Sequence, residues 1–92
     1  MEVKNQPENH RFVVDTEDGQ ATLDYARRGA QVLELTHTFV PEGARGDGVG
    51  DALVRNAFEY ARRNGLRIRP TCPYVKSWLG DHPEEQELVA EG

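Results

Sequence analysis

The stretch Arg45-Gly46-Asp47-Gly48-Val49-Gly50 constrains this chain more than any other. Upstream, residues 32–40 form an apolar alternating run, the period of a strand; downstream, residues 49–63 carry apolar side chains at helical spacing. Glycines at 46, 48 and 50 permit a tight turn and a close approach of a ligand to the backbone. The first amides of a helix lack intrahelical acceptors and stand at the positive end of its dipole. A strand, a glycine-rich turn and a helix N-terminus in that order make an anion site, usually for phosphate. The bland alternative is a tight strand-to-helix turn that holds nothing.

Known phosphate loops narrow the choice. A Walker loop needs Lys-Ser/Thr after the last glycine, where this chain has Asp51-Ala52. A dinucleotide fingerprint needs a third glycine where Asp51 stands, and a ribose-binding acid near position 70, which is Pro70. The pattern that fits is Arg-x-x-Gly-x-Gly, read on Arg45, Gly48 and Gly50. It resembles the pyrophosphate loop of the GCN5-related N-acetyltransferases, which bind acetyl-coenzyme A.

At 92 residues the chain is expected to be one domain with a modest core. Sixteen acids against eleven bases argue against a nucleic-acid binder driven by phosphate neutralisation and mildly favour a basic or amine-bearing acceptor. No apolar run is long enough to span a bilayer, and the N-terminus lacks a signal-peptide pattern, so the expected setting is the cytoplasm. The single cysteine, Cys72, excludes an intramolecular disulfide and a multi-cysteine zinc site, and the scattered histidines lack metal-site spacing.

In chain order, Met1 to Asn9 is polar and expected to be frayed at its start. Arg11 to Asp15 reads as a strand, and Asp18-Gly19 as a two-residue hairpin turn. Gln20 to Arg28 alternates with Ala21, Leu23 and Tyr25 on one face, and Arg28-Gly29-Ala30 turns again. Gln31 to Val40 is a third strand, with Leu33, Leu35, His37 and Phe39 on one face and Val32, Glu34, Thr36, Thr38 and Val40 on the other. The following helix has Val49, Ala52, Leu53, Ala57, Tyr60 and Ala61 along its stripe, with Phe58 at the edge, and stops at Asn64-Gly65. Leu66 to Cys72 is a fourth strand, expected to lie parallel to the third across a right-handed helical crossover. Pro73 opens a second helix that Gly80 stops, and a third short piece begins at Asp81-His82-Pro83-Glu84 before the tail frays. The expected class is α+β: an antiparallel three-stranded meander, a helix, a parallel fourth strand, and one or two C-terminal helices.

Several ordered motifs then make the likeness closer. His37-Thr38-x-Val40-Pro41-Glu42, Arg45-Gly46-x-Gly48, the helix from Leu53 to Ala61, Pro70-Thr71-Cys72-Pro73-Tyr74 and His82-Pro83-Glu84 resemble the small single-domain GCN5-like acetyltransferases, described as YjdJ-like or NATD1-like. That family is a reduced form of the superfamily fold. The resemblance implies acetyl-CoA as cosubstrate, an amine acceptor whose identity stays open, and no metal. It also implies that the N-terminal helices with which larger members hold substrate are missing. On this mapping the amides of Gly46, Asp47, Gly48, Val49 and Gly50 hold the pyrophosphate with Arg45 beside it. The backbone of Phe39, Val40 and Thr38 pairs with the pantetheine. Arg55, Arg62 and Arg63 are candidates for the 3′-phosphate, against the plainer reading of a solvated helix face. Asp47 departs from the polar or basic residue of many relatives, and suits the loop only if it points to solvent or acts as an acid at a helix N-terminus.

Three side chains are catalytic candidates. Cys72 ends a strand before a proline-opened helix, where a thiol gains thiolate character, so it suits an acetyl-cysteine intermediate; a lone cysteine also serves as a small buried hydrophobe. His37 enters the loop and is a candidate base, with Glu34 on the opposite face as the second candidate. Tyr74 resembles the tyrosine that protonates the leaving thiolate in the superfamily. His82 reads as a turn or cap residue, and His10 has no context. The expected function is acetyl transfer to an amine, direct or through Cys72. The alternatives are a CoA-binding module with little catalysis and an interaction domain that binds no cofactor. The expected state is a monomer or a weak homodimer through the exposed edge of the N-terminal hairpin.

Overall fold

Short turns between alternating strands force an antiparallel meander, and the helix after the glycine stretch carries the chain back to add a parallel strand. The structure, a computed structural model, describes residues 1–91. Its elements run β1 (Lys4–Gln6), β2 (Arg11–Thr16), β3 (Gly19–Arg28), β4 (Val32–Phe39), α1 (Val49–Arg63), β5 (Arg67–Pro70) and α2 (Pro73–Asp81). Short 3₁₀ turns lie at Pro7–Asn9, Glu42–Ala44 and Pro83–Leu88. One sheet of order β1-β2-β3-β4-β5 results, antiparallel up to β4 and parallel between β4 and β5. The α+β class, the meander and the parallel insertion are as the sequence predicts.

Both helices pack on one face of the sheet. Phe12, Val14, Leu23, Leu33, Leu35 and Ile68 from the strands meet Leu53, Val54, Phe58, Val75, Trp78 and Leu79 from the helices in one buried cluster. The α1 stripe is wider than expected: Val54 and Phe58 are fully buried while Ala52 and Tyr60 are only half-buried. Phe58 meets Trp78 between the two helices at 5.0 Å, and Phe12 of the sheet meets Tyr60 of α1 at 5.6 Å between centroids. α1 ends as its sequence demands. Gly65 takes φ +67°, and the Leu66 amide reaches back to the Ala61 carbonyl at 2.8 Å in a Schellman closure.

Pairing continues close to both ends of the described residues, outside which Gly92 of the tail lies. Lys4–Gln6 pairs with β2 as an edge strand, and the Tyr25 hydroxyl donates to Asn5 Oδ1 at 2.7 Å. Val89 forms a parallel bridge with Ile68, and the Ala90 amide donates to the Ile68 carbonyl at 2.7 Å. The first hairpin turns at Glu17-Asp18 rather than Asp18-Gly19. Thr16 pairs with Gly19, and Gly19 supplies the positive φ of 121° after the turn. Gly80 lies inside α2, which runs on to Asp81.

Candidate functional site

Strand β4 contains one residue more than β3 where the two pair. Asp24 pairs with His37, but Tyr25 pairs with Leu35, so Thr36 is a β-bulge. A one-residue slip exchanges the two faces of a strand. Leu33 and Leu35 point into the core, and after the bulge Thr38, opposite Leu23, points the same way. His37 and Phe39 pair with Asp24 and Thr22 on the outer face, which no helix covers, and both are exposed. The expected face of His37 is therefore corrected: it shares the outer face with Glu34, and neither lies on the helix side.

Beyond the bulge β4 also parts from β5. Their pairing ends at Leu35 with Pro70, and the Thr71 and Cys72 amides both converge on the Leu35 carbonyl, at 3.2 and 3.0 Å. The edge of β4 from Thr36 onward thus has no β5 partner. Into this opening faces a cavity of about 580 Å³. Its walls are Thr38 and Val40 from the end of β4, Ala44 to Gly46 and Gly48 to Gly50 from the loop and α1, then Asp51 and Tyr74.

The loop presents amides to this cavity. Gly46 and Gly48 adopt left-handed φ of +91° and +81°, and Gly48 is the N-cap of α1 with no side-chain cap. The amides of Gly46 and Gly48 have no backbone acceptor, and those of Val49 and Gly50 lie before the first intrahelical bond, from Ala52 to Gly48. Asp47 differs. Its amide turns back to the Ala44 carbonyl at 3.4 Å, and its exposed side chain lines a separate hollow with Asp15, Thr16, Glu17 and Asp18. The carboxylate that sat awkwardly in the motif points away from the cavity. Arg45 lines the cavity and donates through Nε to the Val40 carbonyl at 3.1 Å, which pins the loop to the strand it leaves.

Tyr74 stands on the first turn of α2. Its ring lies against Gly50: a Cβ built on Gly50 would fall 2.7 Å from the Tyr74 Cζ and closer still to its hydroxyl oxygen. Tyr74 is 44% exposed; the partial burial of its phenol pushes the pKa above the ordinary value, and the nearby Asp51 and Cys72 add to this, so at neutral pH it holds its proton. Cys72 is the N-cap of α2, is 3% exposed and does not line the cavity; its Sγ meets the Thr38 Oγ1 at 3.4 Å. Glu34 is held by Arg28 Nε at 2.6 Å and Thr71 Oγ1 at 2.9 Å, which lowers its pKa and makes it a poor proton acceptor.

The three arginines proposed for a 3′-phosphate are not brought to the cavity. Arg55 pairs with Asp51, and Arg62 pairs with Glu85 at 2.8 Å. Arg62 and Arg63 lie at the far end of α1, roughly 20 Å from its start at 1.5 Å per residue. His82 is a cap residue, as expected: it caps α2 and stacks on Trp78 at 4.1 Å. The sequence reading missed the side chain of Thr38, and it saw Asp51 only as a break in other motifs.

An uncapped helix N-terminus behind a glycine turn, a free strand edge and a phenol surround one cavity in an α+β domain, the arrangement of an anion site. The comparisons with known proteins give that class its family. A family model described as GCN5-related N-acetyl-transferase matches residues 11–88. The protein NATD1 of Bos taurus is 32% identical over 69 residues, 75% of this chain and 61% of that protein. An uncharacterized N-acetyltransferase of Methanocaldococcus jannaschii is 40% identical over 50 residues, 54% of this chain and 20% of its own. The solution structure of a GCN5-like protein from Staphylococcus aureus superposes with a TM-score of 0.73 at 25% identity, covering 99% of this chain and 89% of that one. This chain belongs to the GCN5-related N-acetyltransferase family. It spans about three fifths of the length of its bovine relative. No described helix is long and apolar enough to cross a membrane, and no described cluster of side chains suits a metal ion.

Proposed function

We propose that the chain binds acetyl-CoA in this cavity and transfers the acetyl group directly to an amine of a small molecule or peptide. The observation that carries the reading is the convergence of free loop amides, the free edge of β4 and the Tyr74 phenol on one opening. The amides of Gly46, Gly48, Val49 and Gly50, with Arg45, take the pyrophosphate. The β4 edge from Thr38 to Val40 takes the pantetheine, and Tyr74 stands at the thioester end. A carbon–nitrogen bond forms as the carbon–sulfur bond breaks. The Tyr74 hydroxyl gives its proton to the leaving sulfur, the amine loses its proton to water, and Tyr74 is reprotonated from solvent. The burial of Cys72 beside Thr38 supports direct transfer over an acetyl-cysteine intermediate.

Calorimetric titration of acetyl-CoA into the wild type and an Arg45→Ala, Gly48→Val double variant tests the site. Saturable binding that the variant loses is expected; no binding by the wild type would end the proposal. A second reading, a CoA-binding module without turnover, draws on one observation: His37 and Glu34 both lie away from the cavity. It predicts cofactor binding with no acetyl transfer across an amine panel. Mass spectrometry after incubation with acetyl-CoA alone decides the fate of Cys72, where no acetyl adduct is expected.

A further inference from the structure

Helix α2 and its C-cap present three rings one turn apart, Tyr74, Trp78 and His82, and α1 meets them with Gly50, Asp51 and Arg55. The Trp78 indole Nε1 donates to Asp51 Oδ1 at 2.8 Å, and Trp78 is itself buried. Arg55 holds the same carboxylate from one turn along α1 at 3.3 Å and lies over the Trp78 ring at 5.9 Å. His82 stacks on Trp78 and ties its Nδ1 to the Trp78 carbonyl at 2.8 Å. Asp51 is thus the polar link between the two helices beside the cavity, one residue after the glycine on which Tyr74 rests. We propose that Asp51 is the positioning residue of Tyr74: through the Trp78 indole its carboxylate sets α2 on α1, so that the phenol rests on Gly50 at the mouth of the cavity.

The charge of Asp51 has a second effect on the same group. The charged or titratable groups around the phenol are Asp51 from α1, Cys72 from the start of α2 and Arg45 from the loop; Thr38 from β4 is neutral. Burial disfavours the phenolate, and the Asp51 carboxylate disfavours it further. The catalytic meaning of this rests on Tyr74 being the donor in the proposed transfer, but the structural claim does not. NMR titration of the cofactor-free full chain, labelled at tyrosine Cζ, tests it. Asp51→Asn keeps an oxygen for Trp78 and removes the charge. The Tyr74 ionisation is expected to move to lower pH, while that of Tyr25 stays in place. Arg55→Met leaves the carboxylate unbalanced and is expected to move Tyr74 the other way, which keeps the test open if the first variant folds poorly. In Asp51→Ala the indole N–H should shift and the nuclear Overhauser contacts from the Tyr74 ring to Gly50 should weaken. A Tyr74 titration unmoved in both charge variants, or Tyr74–Gly50 contacts intact in Asp51→Ala, would overturn the proposal. Failure of acetyl-CoA to bind would instead sink the proposed function and leave these measurements standing.

Discussion

Gly50 and Tyr74 illustrate how one residue's identity is set by another. Gly46 and Gly48 are glycines because their backbones are left-handed, whereas Gly50 is helical and is glycine because a side chain there meets the Tyr74 ring. Gly50→Ala is therefore expected to be less favourable in the wild type, where the methyl displaces the Tyr74 ring, than in a Tyr74→Ala background, where about 1 kcal/mol of helix propensity is gained without a clash. Urea denaturation of the four proteins of that cycle measures the coupling; a cycle that closes with no coupling would contradict the contact. Tyr74→Phe keeps the ring and loses the proton. If the phenol is the donor, kcat falls by roughly 10²-fold while acetyl-CoA affinity stays within about twofold. An equal loss in affinity would make the hydroxyl a binding group instead.

Helix α1 carries a left-handed glycine at each end, Gly48 at +81° and Gly65 at +67°, and a Cβ at either meets open space. Replacing either with alanine incurs the same backbone strain, about 1–2 kcal/mol. Only the N-terminal one faces the proposed cofactor. Gly48→Ala is expected to lower both stability and acetyl-CoA affinity, and Gly65→Ala to lower stability alone; paired denaturation and calorimetry test this, and equal effects on affinity would detach the helix N-terminus from the site. At this scale the bulge at Thr36 has the widest consequence. It turns Thr38 to the cavity and His37 to the outer face, while the parting of β5 after Pro70 frees the edge of β4.

Over the whole molecule, carboxylates bridge separate parts of the fold. Glu34 on β4 receives Arg28 from β3 and Thr71 from the chain after β5, and Asp51 joins α1 to α2 through Trp78. Both pKa values are lowered in the folded chain, Glu34 chiefly by the Arg28 hydrogen bond and Asp51 chiefly by the Trp78 hydrogen bond. A lowered folded pKa means that the unfolded chain binds more protons on acidification. The stabilisation is therefore full above the ordinary carboxylate range and is lost as pH falls through the folded values. Urea midpoints should hold steady above about pH 5 and fall below it. Glu34→Gln should flatten part of that fall; an unchanged slope would show that the Arg28–Glu34–Thr71 link carries no pH dependence. A domain this small has little stability to lose, so the fall should be visible in ordinary denaturation curves.

What the sequence determined by itself was local. Strand and helix periods, the Asn64-Gly65 stop, the proline opening of α2 and the glycine turn before α1 each depend on neighbours within a turn or a strand, so the meander, the crossover and the start of α1 were legible from the letters. What the tertiary structure decided was which way side chains face once strands are paired. The Thr36 bulge exists only relative to β3, so no period within residues 31–40 reveals it, and the face of His37 came out reversed. The Asp51–Trp78 link joins residues 27 apart in sequence, and the reason for Gly50 lies on another helix. Val89 beside Ile68 likewise takes its place from a partner outside its own segment. Propensity is a property of a short segment, whereas register and helix docking are properties of the pair, and the site is assembled from the second kind.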